Sequence, residues 1–319
     1  MKNNDFIIGA NWNTEQFTKD FGIASLLGDY SYATLGFFAQ NDWKISPKVL
    51  VEGGLRADFH NQFGHFLLPR IAFLLKPNTY WSVHISSSLG YKTPNVFTQD
   101  VELVTNYNNF LPINSSVKSE QSVGINFDMN YHTLIADRIF LQLNQAFYYT
   151  TIDHPIQVVA VGSWYELANG DYKVNMIGTD TYVRLGIGGW ALYFGYNHTI
   201  SKQKGLGIQV YIPFSPQDKL SSTLSYEIEN KWRFGLEQSY IANQYIYADQ
   251  KVQDYPLFAS MIERKFKRIS LVLNCENLGD FRQSKSEDLF VGPITNPQFK
   301  PLWGPIDGRV INLSVYFAL

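Results

Sequence analysis

The stretch Val49-Leu50-Val51-Glu52-Gly53-Gly54-Leu55-Arg56-Ala57-Asp58-Phe59 sorts its side chains by parity: Val49, Val51, Leu55 and Phe59 share one phase, and Glu52, Arg56 and Asp58 share the other. Successive side chains of an extended strand point to opposite faces, so this stretch predicts a strand with one oily face and one charged face. The split recurs outward from it. Val123, Ile125, Phe127 and Met129 alternate with Glu120, Ser122, Asn126 and Asp128, and Trp81, Val83, Ile85 and Leu89 with Ser82, His84, Ser86 and Ser88. Leu220, Leu224 and Ile228 face away from Ser221, Thr223, Ser225 and Glu227, Trp232, Phe234 and Leu236 oppose Arg233 and Glu237, and Ile311, Leu313, Val315, Phe317 and Leu319 share one side. Helical spacing of three and four is sustained nowhere.

Extended over the chain, the repeat predicts about fourteen strands, near 5–14, 30–45, 47–60, 66–76, 79–92, 117–131, 137–150, 172–188, 190–200, 218–229, 231–242, 255–265, 268–281 and 308–319. Many are as long as a tilted crossing of a bilayer requires, longer than strands of soluble sheets. Their connections alternate in length. Short links fall at 45–47, 76–78, 131–137, 188–189, 229–231 and 265–267, and long ones at 15–29, 60–66, 93–117, 151–171, 201–217, 243–254 and 282–307. A soluble sandwich has no reason to sort loops in this way, whereas an up-and-down outer-membrane barrel has tight periplasmic turns and large extracellular loops. With the C-terminus periplasmic, every short link lands on that side. Trp43, Trp81, Trp190 and Trp232 lie beside short links, where amphipathic rings would form a periplasmic girdle. The expected fold is therefore all-β, an antiparallel up-and-down transmembrane β-barrel occupying 1–319 as one domain.

Composition agrees. Aromatic residues make up 16% of the 319 and charged residues 17%, below the roughly 25% of ordinary soluble domains. With 26 basic against 28 acidic residues and a net charge of -2, nucleic acid is not an expected partner. The single cysteine, Cys275, excludes an intrachain disulfide and a cysteine-built zinc site. No apolar run is long enough for a transmembrane helix. No apolar segment follows Met1-Lys2-Asn3-Asn4-Asp5, so the export signal is expected in a missing N-terminal part.

The chemistry expected is recognition rather than catalysis. The 6 histidines make no zinc motif; His60 and His65, near Asp58, share one outer loop, where solvated histidines are commoner than metal ligands. No nucleophile elbow or phosphate-binding glycine loop is present, so neither an enzyme nor a cofactor nor a metal is expected. A charge on the lipid face would cost about 2–4 kcal/mol at midplane, so Glu52, Arg56, Asp58, Arg70, Glu120, Asp128, Glu227, Arg233 and Glu237 are expected to line the lumen. Ligand capture is expected from outer-loop aromatics: Tyr107, Phe110, Trp164, Tyr165, Tyr211, Phe214, Tyr245, Tyr247, Phe299 and Trp303. Such rings also pack one loop against another. The Pro-rich stretch from Gly292-Pro293 to Gly304-Pro305 predicts a stiff loop.

Four segments in order narrow the family. Phe38-Ala39-Gln40-Asn41-Asp42-Trp43-Lys44-Ile45 followed by Gly54-Leu55-Arg56, then Pro69-Arg70-Ile71-Ala72, then Gly90-Tyr91-Lys92-Thr93-Pro94, and finally Asn277-Leu278-Gly279-Asp280 resemble the barrel segments of TonB-dependent receptors. The resemblance spans roughly 30–319. It implies the C-terminal part of a barrel of about 22 strands closed around an N-terminal plug. It also implies import of a ferric siderophore or similar scarce nutrient, driven by the TonB complex through a plug and TonB box absent from this sequence, and plug contact for the lumen charges. Two other readings stay open: a passive channel of fourteen strands, and a non-functional truncated receptor fragment. The family's terminal aromatic is replaced by Leu319, with Phe317 two before it.

Overall fold

The computed structural model describes residues 3–19, 26–97, 109–205, 208–247 and 250–317. Fourteen antiparallel strands follow one another as hydrogen-bonded neighbours in chain order, which is up-and-down topology. They are β1 (Asn4–Phe17), β2 (Tyr30–Ser46), β3 (Val49–His60), β4 (Gly64–Leu75), β5 (Trp81–Lys92), β6 (Glu120–Ile135), β7 (Ile139–Asp153), β8 (Lys173–Ile187), β9 (Trp190–Gly205), β10 (Asp218–Ile228), β11 (Trp232–Ala242), β12 (Tyr255–Lys265), β13 (Ile269–Glu276) and β14 (Val310–Phe317). A short strand, Ile208–Tyr211, also pairs with β9. Leu319 lies outside the described residues.

The chain forms two compact units. The first comprises Met1–Phe127, Tyr148–Ile177 and Lys202–Gln209, and the second Asp128–Phe147, Gly178–Ser201 and Val210–Leu319, so that β6 to β9 contribute to both. In the first unit the ladders keep the two phases of the sequence apart. Glu52 lies opposite Asp42 and Ala72, and Asp58 opposite Gly36 and Phe66; Leu55 lies opposite Ala39 and Pro69, and Val51 opposite Trp43 and Phe73. The usual burial is inverted: Leu67 is 61% exposed and Ile71 47%, while Asp58 is only 3% exposed. Large apolar side chains left outside charged ones require an oily surrounding, which is what the wall of a membrane barrel meets. The second unit repeats the pattern, with Arg233 between Glu227 and Glu263 on one face and Leu236 between Leu224 and Ser260 on the other.

The short links sit where the sequence predicts them, at 47–48, 76–80, 136–138, 188–189, 229–231 and 266–268. Residues able to take left-handed backbone occupy several of them: Asp137 at φ 53°, Gly188 at 55° and Asn230 at 55°. At 76–80 the Asn78 side chain accepts the N–H groups of Tyr80 (2.9 Å) and Trp81 (3.0 Å). Trp43, Trp81, Trp190 and Trp232 stand next to such links, with Trp43 opposite Val51, Trp190 opposite Tyr226 and Trp232 opposite Ile228 on the apolar side.

Three expectations need correction. The link expected as a long loop at 60–66 is a turn of residues 61–63, because His60 Nδ1 accepts the N–H groups of Gln62 and Phe63 (both 3.1 Å) and Gly64 takes φ +94°. Asn61 ties this turn to β2 through Ala33 N–H (3.1 Å) and Ser31 O (3.0 Å). The loop expected at 151–171 holds a hairpin of Ile156–Val161 and Trp164–Asn169, turning at Gly162 with φ +61°. The strand expected at 268–281 ends at Glu276, because Asn277 turns to φ +47° and binds its own loop.

One glycine has its size dictated by the charges around it. A Cβ on Gly36 would run into Asn11 Oδ1, Asp58 Oδ1 and the Arg56 guanidinium. Gly36→Ala is therefore expected to destabilise the chain by about 1–3 kcal/mol, as overpacking does. A shift of the urea midpoint of the folded chain in detergent to lower concentration checks this; an unchanged midpoint contradicts it.

Candidate functional site

In the first unit the polar face carries a knotted set of charges. Arg70 Nε lies 2.9 Å from Glu52 Oε1, and Arg56 Nε 2.8 Å from Asp58 Oδ1. Tyr91 donates its hydroxyl to Asp58 Oδ2 (2.8 Å) and stacks its ring on Phe66 at 3.7 Å. Glu120 accepts the Ile156 N–H (2.7 Å), anchoring the 156–169 hairpin. A buried carboxylate is tolerable only when paired and hydrogen-bonded in this way.

Toward the long-loop ends of β1 to β3 the same phase carries aromatic rings. Phe97 packs on Phe17 (5.2 Å), Phe17 on Tyr30 (5.4 Å), Tyr30 on Tyr32 (4.4 Å), and Tyr32 on His60 (5.5 Å) and Phe63 (5.3 Å). Tyr30 donates its hydroxyl to Glu15 (2.6 Å). The sequence reading passed over Phe17, Tyr30 and Tyr32, although their parity was available: they share the phase of Asn11, Gly36 and Asp42. With both backbone amides on its Nδ1, His60 is a turn residue. Among the described residues no group of three or more His, Cys, Asp or Glu is gathered to hold a metal.

In the second unit the polar face is also linked. Asn130 donates to Asp128 (3.0 Å) and accepts from Asn144 (2.9 Å), and Lys265 lies 3.0 Å from Glu227 and 4.0 Å from Glu263. Glu237 lines a cavity of about 520 Å³ with Ser221, Thr223, Ser239, Glu276 and Asp307. The sequence-derived polar residues thus fall on one face in each unit.

The loop aromatics divide into packed and presented. Phe110 is wholly buried with Val96 and Leu167, bridged to Tyr165. Tyr211 stacks on Tyr245 at 4.5 Å, and Phe214 N–H donates to Tyr245 O (2.7 Å). Trp303 is buried against Tyr255, Ile246 and Phe281. These rings hold loops together. Phe299, 78% exposed beside Phe290, and Trp164, 36% exposed, present faces outward. Tyr107 and the side chain of Tyr247 lie outside the described residues.

The loop 277–309 is built around Gln283, which no sequence motif announces. Its Nε2 donates to Glu287 Oε1 and Pro301 O (both 3.0 Å), and its Oε1 accepts the N–H groups of Trp303 (2.9 Å) and Gly304 (3.3 Å). Trp303 Nε1 donates to Glu287 Oε1 (2.5 Å), and Lys300 lies 3.3 Å from Glu287 Oε2. At the loop base the Asn277-Leu278-Gly279-Asp280 motif makes a stitch. Asn277 accepts from Phe281 N–H (2.9 Å) and donates to Phe281 O (2.8 Å) and Asp307 O (3.2 Å). Asp280 accepts from Arg309 N–H (3.1 Å), Arg282 (3.2 Å) and Lys285 (2.5 Å), while the Arg309 guanidinium returns to Leu278 O. The motif thereby fixes where β14 starts.

Two outcomes follow for this loop. Gln283→Ala strands the Trp303 N–H and the Pro301 carbonyl, and is expected to cost about 1–3 kcal/mol of local stability, read as faster protease cleavage within 277–309. The Glu287 carboxyl is held below its ordinary value of 4.5, first by the Trp303 indole N–H and then by Gln283 and Lys300, against burial, which raises it. A carboxylate depressed in the fold stabilises it above the ordinary value, and that contribution is lost as pH falls through the depressed one. Cleavage of the loop should accelerate below pH 4.5 in the native chain and lose that dependence in Glu287→Gln; identical pH profiles would contradict the linkage.

Known proteins agree with this architecture. A similar fold occurs in the siderophore receptor PirA of Pseudomonas aeruginosa, at 14% identity and a TM-score of 0.72, over 98% of this chain and 53% of that one. It occurs too in the FrpB iron transporter of Neisseria meningitidis, at 14% identity and a TM-score of 0.74, over 99% and 53%. PirA of Acinetobacter baumannii matches at 15% identity and a TM-score of 0.74, over 98% and 52%. The chain thus spans about half the length of these structures. No curated protein matches it in sequence. The family model described as TonB dependent receptor-like, beta-barrel matches residues 2–278, and the chain belongs to that family of outer-membrane barrels.

Proposed function

We propose that the chain supplies wall and ligand-facing loops to an outer-membrane receptor that takes up a ferric siderophore or a similar scarce nutrient. The observation that carries this is the division of labour between the loops and the polar face. The loops are pre-folded by buried groups such as Gln283 and Trp303, so exposed rings such as Phe299 and Trp164 are offered from a rigid support. Rings of this kind stack on planar chelators. The charges Glu52, Arg56, Asp58, Arg70, Glu120, Asp128, Glu227, Arg233 and Glu237 line the lumen, where a plug would meet them. In this reading a plug carried elsewhere in the receptor contacts the TonB complex. The titles of solved relatives, among them a ferric enterobactin receptor of Pseudomonas aeruginosa in complex with enterobactin, support this ligand class.

Uptake of a radiolabelled ferric siderophore by cells dependent on the intact receptor is the test. Uptake is expected to vanish when the gene or the TonB system is deleted, and uptake that persists without TonB would sink the reading. Phe299→Ala is expected to weaken binding of the ferric chelate about three- to tenfold without unfolding the chain, as loss of one aromatic contact does.

A further inference from the structure

The turn joining β12 to β13 carries a charge cluster that the balanced net charge conceals. In Arg264-Lys265-Phe266-Lys267-Arg268 four of the five residues are basic, and Lys231 stands in the neighbouring turn. The two turns are tied together, since Lys265 N–H donates to Lys231 O (2.8 Å) and Phe266 N–H closes the turn on Ile269 O (2.7 Å).

Parity separates these cations. Lys265 belongs to the polar face, where Glu227 and Glu263 engage it. Arg264 belongs to the opposite face, opposite Trp232 on one side and Leu271 on the other. Its guanidinium lies over the Trp232 ring at 4.6 Å and over the Phe266 ring at 5.4 Å. Lys231, Lys267 and Arg268 are exposed around it, and Glu229 is the one carboxylate in these two turns. Along the strands from this cluster runs an exposed apolar strip that includes Phe234, Leu236, Ile262 and Leu273.

We propose that this turn binds the phosphate headgroups of anionic phospholipids in the periplasmic leaflet, with Arg264 held on aromatic rings at headgroup depth. This rests on the membrane-wall reading above, which places short links on the periplasmic side. The chemistry matches at each level. The apolar strip takes acyl chains, Trp232 and Phe266 occupy the boundary, and a guanidinium poised on rings offers a phosphate two parallel N–H donors. The exposed lysines and Arg268 add attraction that salt screens.

The test uses the full chain folded in detergent micelles and titrated with equal amounts of phosphatidylglycerol and phosphatidylcholine, bound lipid being counted by native mass spectrometry. Phosphatidylglycerol is expected to be retained about tenfold over phosphatidylcholine, with the preference shrinking as salt rises. The triple variant Lys231→Gln, Lys267→Gln, Arg268→Gln alters exposed side chains and should keep the fold while bringing the two lipids to parity. Lys118→Gln, in the long loop before β6, should leave the preference unchanged. Equal retention by the native chain overturns the proposal, as does an unaltered preference in the triple variant or saturable binding of an acidic peptide without lipid preference. Protease protection in vesicles tells the two readings apart. A chain that fails to insert refutes the membrane-wall reading and this proposal together, whereas insertion without lipid preference refutes this proposal alone.

Discussion

Backbone amides in a lipid surrounding have no water to turn to, and every N–H and C=O along a crossing must find its partner on the next strand. That requirement makes antiparallel neighbours of consecutive strands, and the two-residue period of a strand then forces each side chain to one face or the other. The charges in Glu52, Arg56 and Asp58 have a single phase available to them once Leu55 and Phe59 have taken the other. Arg56 pairs with Asp58 two residues along β3, and Arg70 with Glu52 diagonally across β3 and β4, because charges confined to one face stabilise each other only when near neighbours carry the opposite sign.

Crowding is the next constraint. Where Asn11, Asp58 and Arg56 converge, the strand between them has to give up its side chain, and Gly36 does so. The loops solve the opposite difficulty, since they have no ladder to organise them. They use single polar side chains as centres: the buried Gln283 for the loop after β13, and the half-buried Asn169 for the segment before β6, where it accepts from Lys118 N–H (2.7 Å) and donates to Lys118 O and His154 O. Each centre satisfies main-chain groups that a ladder would otherwise pair.

Much of this was legible in the sequence, and the physical reason is period. Alternation from Val49 to Phe59 states which face is oily, and β3, β10 and β12 begin and end within a few residues of where alternation does. The loops carry no period, and there the reading failed in specific ways. Gln283 is one polar residue among several, and only its buried partners distinguish it. Composition leaves Phe110 and Trp303 open between ligand capture and loop packing, since packing decides whether a loop aromatic faces in or out, and packing is not local in sequence. The aromatic ladder of Phe17, Tyr30 and Tyr32 was within reach, since its phase is that of the polar face. The short turn at 61–63 hid behind His60, whose ring nitrogen serves the backbone in a way no spacing rule reports.

The stitch formed by Asn277 and Asp280 has a consequence for how such a chain changes over generations. The start of β14 is set at the base of its loop, by Asp280 on the Arg309 amide and Asn277 on the Asp307 carbonyl. Residues between these anchors are released from any duty to keep the final strand in register. Insertions, deletions and substitutions at the tip can accumulate without shifting one side chain of β14 to the wrong face. If this loop faces ligand as proposed, recognition can therefore diversify at its tip while the strand scaffold stays constant, a separation of the variable from the invariant achieved with a few hydrogen bonds.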